Sequence, residues 1–243
     1  MNKTNKKFIS GSSILATLGL WILLSVIVGV SSWLLVDTVQ EWKKANIPIL
    51  LVVAECYALL PIVIFFVYGG IHGLRDRLNL RYTSIRDLVL AIGLFAAIVV
   101  CSLLLYLSFG LATGSLWGTI LAVIRDVTDM SRFSTANTLA WGLILVRVFL
   151  LAGLAEELFF RGMLFGWLRQ RFSARMTILI TALLFTVEHY YLILFPVAFI
   201  FGLAVGWLRE RTGSILPGLI VHILTDGLLL LIAYILTQYH VAG

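Results

Sequence analysis

Apolar residues run along this chain in long blocks, and charges and turn residues interrupt them at only a few places. The interruptions delimit seven segments of helical length, roughly 13–36, 48–71, 88–112, 138–168, 177–191, 194–208 and 215–237. An α-helix needs about 20 apolar residues to cross the hydrocarbon core of a bilayer, so these blocks read as membrane-spanning helices. The fourth exceeds about 25 residues and is long enough to tilt or to project past the membrane. The stretch 177–208 is too long for one span, at about 48 Å for a rise of 1.5 Å per residue. Glu188-His189-Tyr190-Tyr191 and Pro196 mark the break that makes it two.

Composition strengthens this picture. Hydrophobic residues make up 61% of the 243 and charged residues 12%, with a mean hydropathy of +1.04. A soluble domain carries about 25% charged residues, so a soluble globular protein is excluded. The expected fold is an all-α, polytopic helical membrane protein of about seven transmembrane helices.

Charge gives the orientation. The net +6 and the pI near 9.5 would raise the question of nucleic acid in a soluble protein. Here the loops account for it. With the N-terminus inside, the inner segments hold twelve Lys and Arg (Lys3, Lys6, Lys7, Arg75, Arg77, Arg81, Arg86, Arg169, Arg171, Arg175, Arg209, Arg211). The outer segments hold four (Lys43, Lys44, Arg125, Arg132), and Arg147 and Arg161 lie within span four. The positive-inside rule therefore predicts a cytoplasmic N-terminus and no nucleic-acid partner. Lys3, Lys6 and Lys7 before the run 14–36 imitate a signal peptide. That run is too long and lacks a small-x-small cleavage site, so a retained first helix is expected. The segment His72–Asp87 reads as an amphipathic cytoplasmic connector, and Thr113–Asn137 as the one sizeable outer loop. Cys56 and Cys101 lie in apolar stretches without metal-site spacing and are expected as small core residues.

The scarce polar residues inside the spans carry the chemistry. An ionisable side chain at the bilayer centre costs about 2.5–3.5 kcal/mol on insertion scales, and its default reading is functional. The spans hold Glu55, Glu156, Glu157, Glu188, Asp226, Arg147, Arg161, His189 and His222. Most of them fall in three short segments, 155–161, 185–189 and 222–226. Glu157 and Arg161 stand i,i+4, the spacing of a helical ion pair, and so do His222 and Asp226. Glu156 is turned about 100° from Glu157 and can face a different neighbour. At 1.5 Å per residue from the cytoplasmic end, Glu156, His189 and Asp226 each lie roughly 18 Å deep. His222 comes out at about 12 Å and Arg161 at about 10 Å. Three helices of alternating direction thus carry polar groups to one slab. Glu55 and Arg147 read as a structural pair between spans two and four, and His72 and His240 as solvated loop residues. Gly202 and Gly206, spaced GxxxG, are expected to permit close helix packing. There is no His-Glu-x-x-His zincin helix, and Asp226 is the only Asp within a span, so an aspartyl mechanism fits poorly.

Glu156-Glu157-x-x-x-Arg161, then Phe185-x-x-x-His189, then His222-x-x-x-Asp226 resembles the three-motif signature of the CPBP intramembrane protease family. That family includes the type II CAAX prenyl endopeptidases and bacterial Abi and lysostaphin-resistance-like proteins. The run from Leu208 to His222 is similar to the family's approach to its third motif, and the resemblance covers about residues 138–235. It implies two parts: three N-terminal helices with their connector over 1–137, and a four-helix catalytic core over 138–237. It implies peptide-bond hydrolysis within the membrane, on a peptide or lipidated protein such as a prenylated CaaX tail or a bacterial precursor. The protein would be multi-pass, in the plasma membrane if bacterial.

By the same resemblance, Glu156 and His189 would orient and deprotonate the attacking water. His222 and Asp226 would stabilise the oxyanion or hold the site, and Glu157 with Arg161 would form a structural pair. A positioned base and a donor aimed at the developing oxyanion are what such a reaction needs. Glu156, His189 and His222 could supply the nitrogen and oxygen ligands of a divalent metal such as zinc. The same groups could also activate water without metal. Asp226 stands where the prenyl endopeptidases typically carry Asn, and an ionised Asp cannot donate a hydrogen bond; a ligand or histidine-partner role is the alternative. Two rival functions use the same residues: an inactive scaffold or immunity protein of this fold, and a proton-coupled transporter, since buried acids and histidines also build proton relays.

Overall fold

The computed structural model describes residues 83–115, 153–189 and 195–238, together with Gly19, Arg81 and Gly118. Spans one and two (apart from Gly19), Glu55, Arg147, His72, His240, Cys56, most of the connector and most of the outer loop lie outside the described residues. Within them every regular element is helical.

Helix α1 runs Ile85–Ala112. It starts three residues before the expected span because Ser84 and Asp87 form a capping box. The Asp87 N–H donates to Ser84 Oγ at 3.2 Å, and the Ser84 N–H to Asp87 Oδ2 at 3.1 Å, satisfying end groups the helix would leave bare. It closes on Gly114, whose φ of +65° lets Gly114 N bond to Leu111 O and Ser115 N to Gly110 O. That left-handed step favours glycine. Among the described residues α1 is the one helix long and apolar enough to cross a membrane. Its inward stripe holds Ala91 and Ile98, while Val89, Ile92, Val100, Leu103, Leu104 and Leu107 point outward. Cys101, expected in the core, is exposed on this helix: most of α1 presents an apolar surface outward, so an apolar setting in the sequence did not mean burial.

The motif-bearing part of span four is α2 (Gly153–Glu156), a π-helical segment (Glu157–Leu164) and α3 (Phe165–Leu168). The joining residues Glu156, Leu164 and Phe165 all have right-handed helical dihedrals, so the three continue one another. A π-helical run of eight residues is unusual, since such bonding mostly occurs as single turns and often at functional sites. The chain turns at 169–173, and Ser173 Oγ accepts from the Met176 N–H at 3.4 Å to start α4 (Ala174–Glu188). Helix α5 spans Phe195–Thr212, with Pro196 in its first turn. The expected break after Glu188 is therefore real.

Helices α4 and α5 pack together antiparallel, with Gly202 against Ala182 and Gly206 against Ile178. A Cβ at Gly202 would come within 2.9 Å of the Ala182 Cα; the GxxxG reading holds, because only glycine allows this approach. A left-handed Gly213 (φ +66°) turns the chain into α6, Leu216–Gln238. There Ser214 Oγ donates to Arg81 O at 3.0 Å, tying the approach to α1 onto the turn. Helix α6 packs on α1, α5 and α2. Phe159, Phe160, Leu164, Phe185, Phe201, Val205, Leu208 and Val221 fill the core between these helices.

Candidate active site

The site is built around one imidazole. His222, on the second turn of α6, is buried, and each ring nitrogen faces acids from the α2–π junction or its own helix. Its Nδ1 lies 3.0 Å from Glu157 Oε1. The same oxygen is 3.1 Å from Arg161 Nη1. A carboxylate paired with a guanidinium only accepts, so the imidazole carries a hydrogen on Nδ1 and donates it to Glu157. That orients the ring and turns Nε2 towards Glu156 Oε2 and Asp226 Oδ2, each at 3.6 Å. Both distances are just beyond a direct hydrogen bond.

Glu157 and Arg161 are almost fully buried, at 0% and 1% side-chain exposure, whereas Glu156 and Asp226 keep 16% and 26%. The expected i,i+4 pairs are therefore both present, with different settings. One is sealed in the core; the other opens outward. Glu156 meets the same histidine as Glu157, on the opposite nitrogen.

Aromatic rings close the buried side. The Arg161 guanidinium sits 4.4 Å over the Phe185 ring, a cation–π contact that shares its charge with an apolar wall. Phe185 also stacks on Phe201 at 5.4 Å and meets the His189 ring at 4.5 Å and the His222 ring edge-on at 6.0 Å. His189 is the first residue beyond α4. Its backbone leaves helical geometry (φ −84°, ψ 64°), and its Nδ1 lies 2.9 Å from the Phe185 carbonyl. A carbonyl can only accept, so His189 also carries its hydrogen on Nδ1 and keeps a lone pair on Nε2, the form that can take a proton. The structure thus gathers Glu156, Glu157, Arg161, His222 and Asp226 directly, with His189 joined to them through the Phe185 ring. Glu188, half-buried at the end of α4, stands beside His189.

Among the described residues no group of three or more His, Cys, Asp or Glu side chains is disposed to hold a metal ion, Glu156, His189 and His222 included. One nitrogen of each histidine is already committed, to Glu157 and to the Phe185 carbonyl.

Two contributors escaped the reading of the sequence. Gly218, one turn before His222, lies where a Cβ would come within 2.7 Å of Val205 Cγ1 and 3.0 Å of Glu157 Oε2. Its lack of a side chain lets α6 approach Glu157. In the sequence only its one-turn spacing to His222 hints at this role. Arg209 counted only as a loop charge, yet it is buried and its Nε donates to Arg161 O at 3.0 Å.

Among the described residues, which are all-helical in their regular elements, carboxylates and histidines are gathered among apolar helices. Residues 138–228 match the family model described as Type II CAAX prenyl endopeptidase Rce1-like, a match that supports the resemblance to the CPBP intramembrane proteases over this segment. No curated protein and no solved structure matches the chain.

Proposed function

We propose that this protein is an intramembrane endopeptidase that hydrolyses a peptide bond of a membrane-associated or lipidated substrate, of the CaaX-tail or bacterial-precursor kind. In this reading the chain crosses the membrane seven times with its N-terminus in the cytoplasm. Residues 1–137 form an N-terminal three-helix part, and 138–237 the catalytic core. The observation that carries the proposal is the double grip on His222: Glu157 on Nδ1, and Glu156 and Asp226 facing Nε2, within a segment that matches a protease family.

Glu157, neutralised by Arg161, acts on the imidazole and not on substrate; it fixes the ring so that Nε2 points at the reacting groups. Glu156, the more exposed acid of the adjacent pair, is the general base. It takes a proton from water as the water oxygen bonds to the substrate carbonyl carbon. His189, with its lone pair on Nε2, orients that water. His222, with a second hydrogen on the Nε2 that faces the two acids, donates to the oxygen that gains charge, with Asp226 as its helical partner. The tetrahedral intermediate then collapses, the C–N bond breaks, and the amine leaves with the proton held by Glu156. The residue roles above stand without a metal; a divalent ion that drew Glu156, His189 and His222 together would supply Lewis-acid activation of the same water.

The test is cleavage of a prenylated CaaX reporter peptide by the protein in liposomes. Glu156→Gln and His189→Ala should each abolish product while the protein still inserts and folds. Full activity in either variant contradicts the assignment. Absence of cleavage by the wild-type protein, with proton flux instead, would favour transport.

A further inference from the structure

In an α-helix the Arg161 carbonyl would accept from the N–H of Phe165. Here the Phe165 N–H bonds to Phe160 O, one residue further back. Arg161 O therefore loses its ordinary helical donor at the residue whose side chain anchors Glu157. Arg209, near the end of α5, reaches across to this carbonyl and donates Nε–H at 3.0 Å. The residue is only 8% exposed, and its guanidinium lies 5.5 Å from the Phe165 ring. The adjacent acid, Glu210, is engaged instead by Arg169 in a two-point pair at 2.9 and 3.1 Å. No ion pair involves Arg209 among the described residues. A buried guanidinium is costly unless paired or well hydrogen-bonded, and here its directed bond goes to a main-chain oxygen freed by the π-helical register.

We infer that Arg209 is a positioning residue that holds Glu157–Leu164 in its π-helical register, and through it sets Glu156 and Glu157 on either side of His222. The geometry explains how one donor does this. A π turn takes more residues than the 3.6 of an α turn. Relapse of this segment to α-helix would return the Phe165 N–H to Arg161 O and rotate Glu156 and Glu157 relative to α3. Both acids would then leave the imidazole. With Arg209 seated, its Nε–H satisfies the Arg161 carbonyl and the π bonding persists.

The test compares two neutral side chains of similar size: Arg209→Gln, which keeps an N–H donor, and Arg209→Met, which does not. Histidine ring-nitrogen NMR reads the His222 ring hydrogens directly, without relying on the proposed activity, and reporter cleavage reads the consequence. Arg209→Met should shift the His222 Nδ1 signal. It should also lower kcat on the order of ten- to a hundredfold, the worth of a hydrogen bond to a charged group, with KM within about twofold. Arg209→Gln should recover most of both, and Arg171→Gln, on the surface, neither. Folding of Arg209→Gln but not of Arg209→Met also supports the inference. Equal effects of the two substitutions overturn it, whether both resemble wild type or both fail to fold. If the wild-type protein cleaves no reporter, the protease reading fails while the His222 signals still decide the role of Arg209.

Discussion

Glu157→Gln isolates the buried half of the site. The substitution preserves shape and removes one negative charge from a position with no exposure to solvent. Two short contacts meet at its Oε1, 3.1 Å to Arg161 and 3.0 Å to His222. Breaking a buried ion pair by removing one partner costs about 3–5 kcal/mol, because the other charge stays buried without compensation. The amide oxygen of Gln still accepts a hydrogen bond and the Phe185 ring still faces the guanidinium, so the lower end, about 3 kcal/mol, is expected. That is a large share of the roughly 5–15 kcal/mol that holds a typical protein folded. Adding Arg161→Met should return most of the loss, since an apolar pair of similar volume removes the stranded charge. The assay is equilibrium unfolding of the single and double variants in detergent, with wild type alongside. If Glu157→Gln unfolds within about 1 kcal/mol of wild type, Glu157 and Arg161 do not form the sealed pair described, and the orientation of His222 must come from elsewhere.

Further outcomes follow from the same geometry. Glu156→Gln, at a partly exposed carboxylate, should keep stability within about 1 kcal/mol yet lower cleavage by a factor of about a hundred or more, the contribution of a positioned base; parallel unfolding and rate measurements separate the two. Incubation of the purified protein with a strong chelator should leave the cleavage rate within about twofold, and a rate restored only by added zinc would contradict metal-free activation. Gly218→Ala should destabilise by about 1–3 kcal/mol, the cost of overpacking, because the new methyl meets Val205 and Glu157; thermal unfolding checks it, and an unchanged midpoint would refute the close approach.

Helix positions were readable because their causes are local. The charge-poor block at 88–112 became α1, extended only by the Ser84 cap, and the block at 215–237 became Leu216–Gln238 with almost no shift. Glu188, His189 and Pro196 announced the break between α4 and α5. Convergence of the three motifs was also readable, since i,i+4 spacing and shared depth follow from helix geometry alone. The hydrogen-bond register was not. A π-helical run leaves no mark on hydropathy, yet it underlies the placement of Glu156 and Glu157 on one histidine where an α-helical wheel turned them apart. Arg209 and Gly218 were hidden for a related reason. Each acts through a backbone group or a vacant Cβ position on another helix, and no pattern along a single helix displays such a partner.

The central claim is that this site hydrolyses a peptide bond with Glu156 as base. Mass spectrometry of a prenylated CaaX reporter, incubated with the protein in liposomes made in heavy-oxygen water, tests it most directly. The account predicts a shortened peptide whose new carboxylate carries one heavy oxygen, formed by the wild-type protein and absent with Glu156→Gln. Equal product from Glu156→Gln, or an intact reporter with the folded wild-type protein, would contradict it.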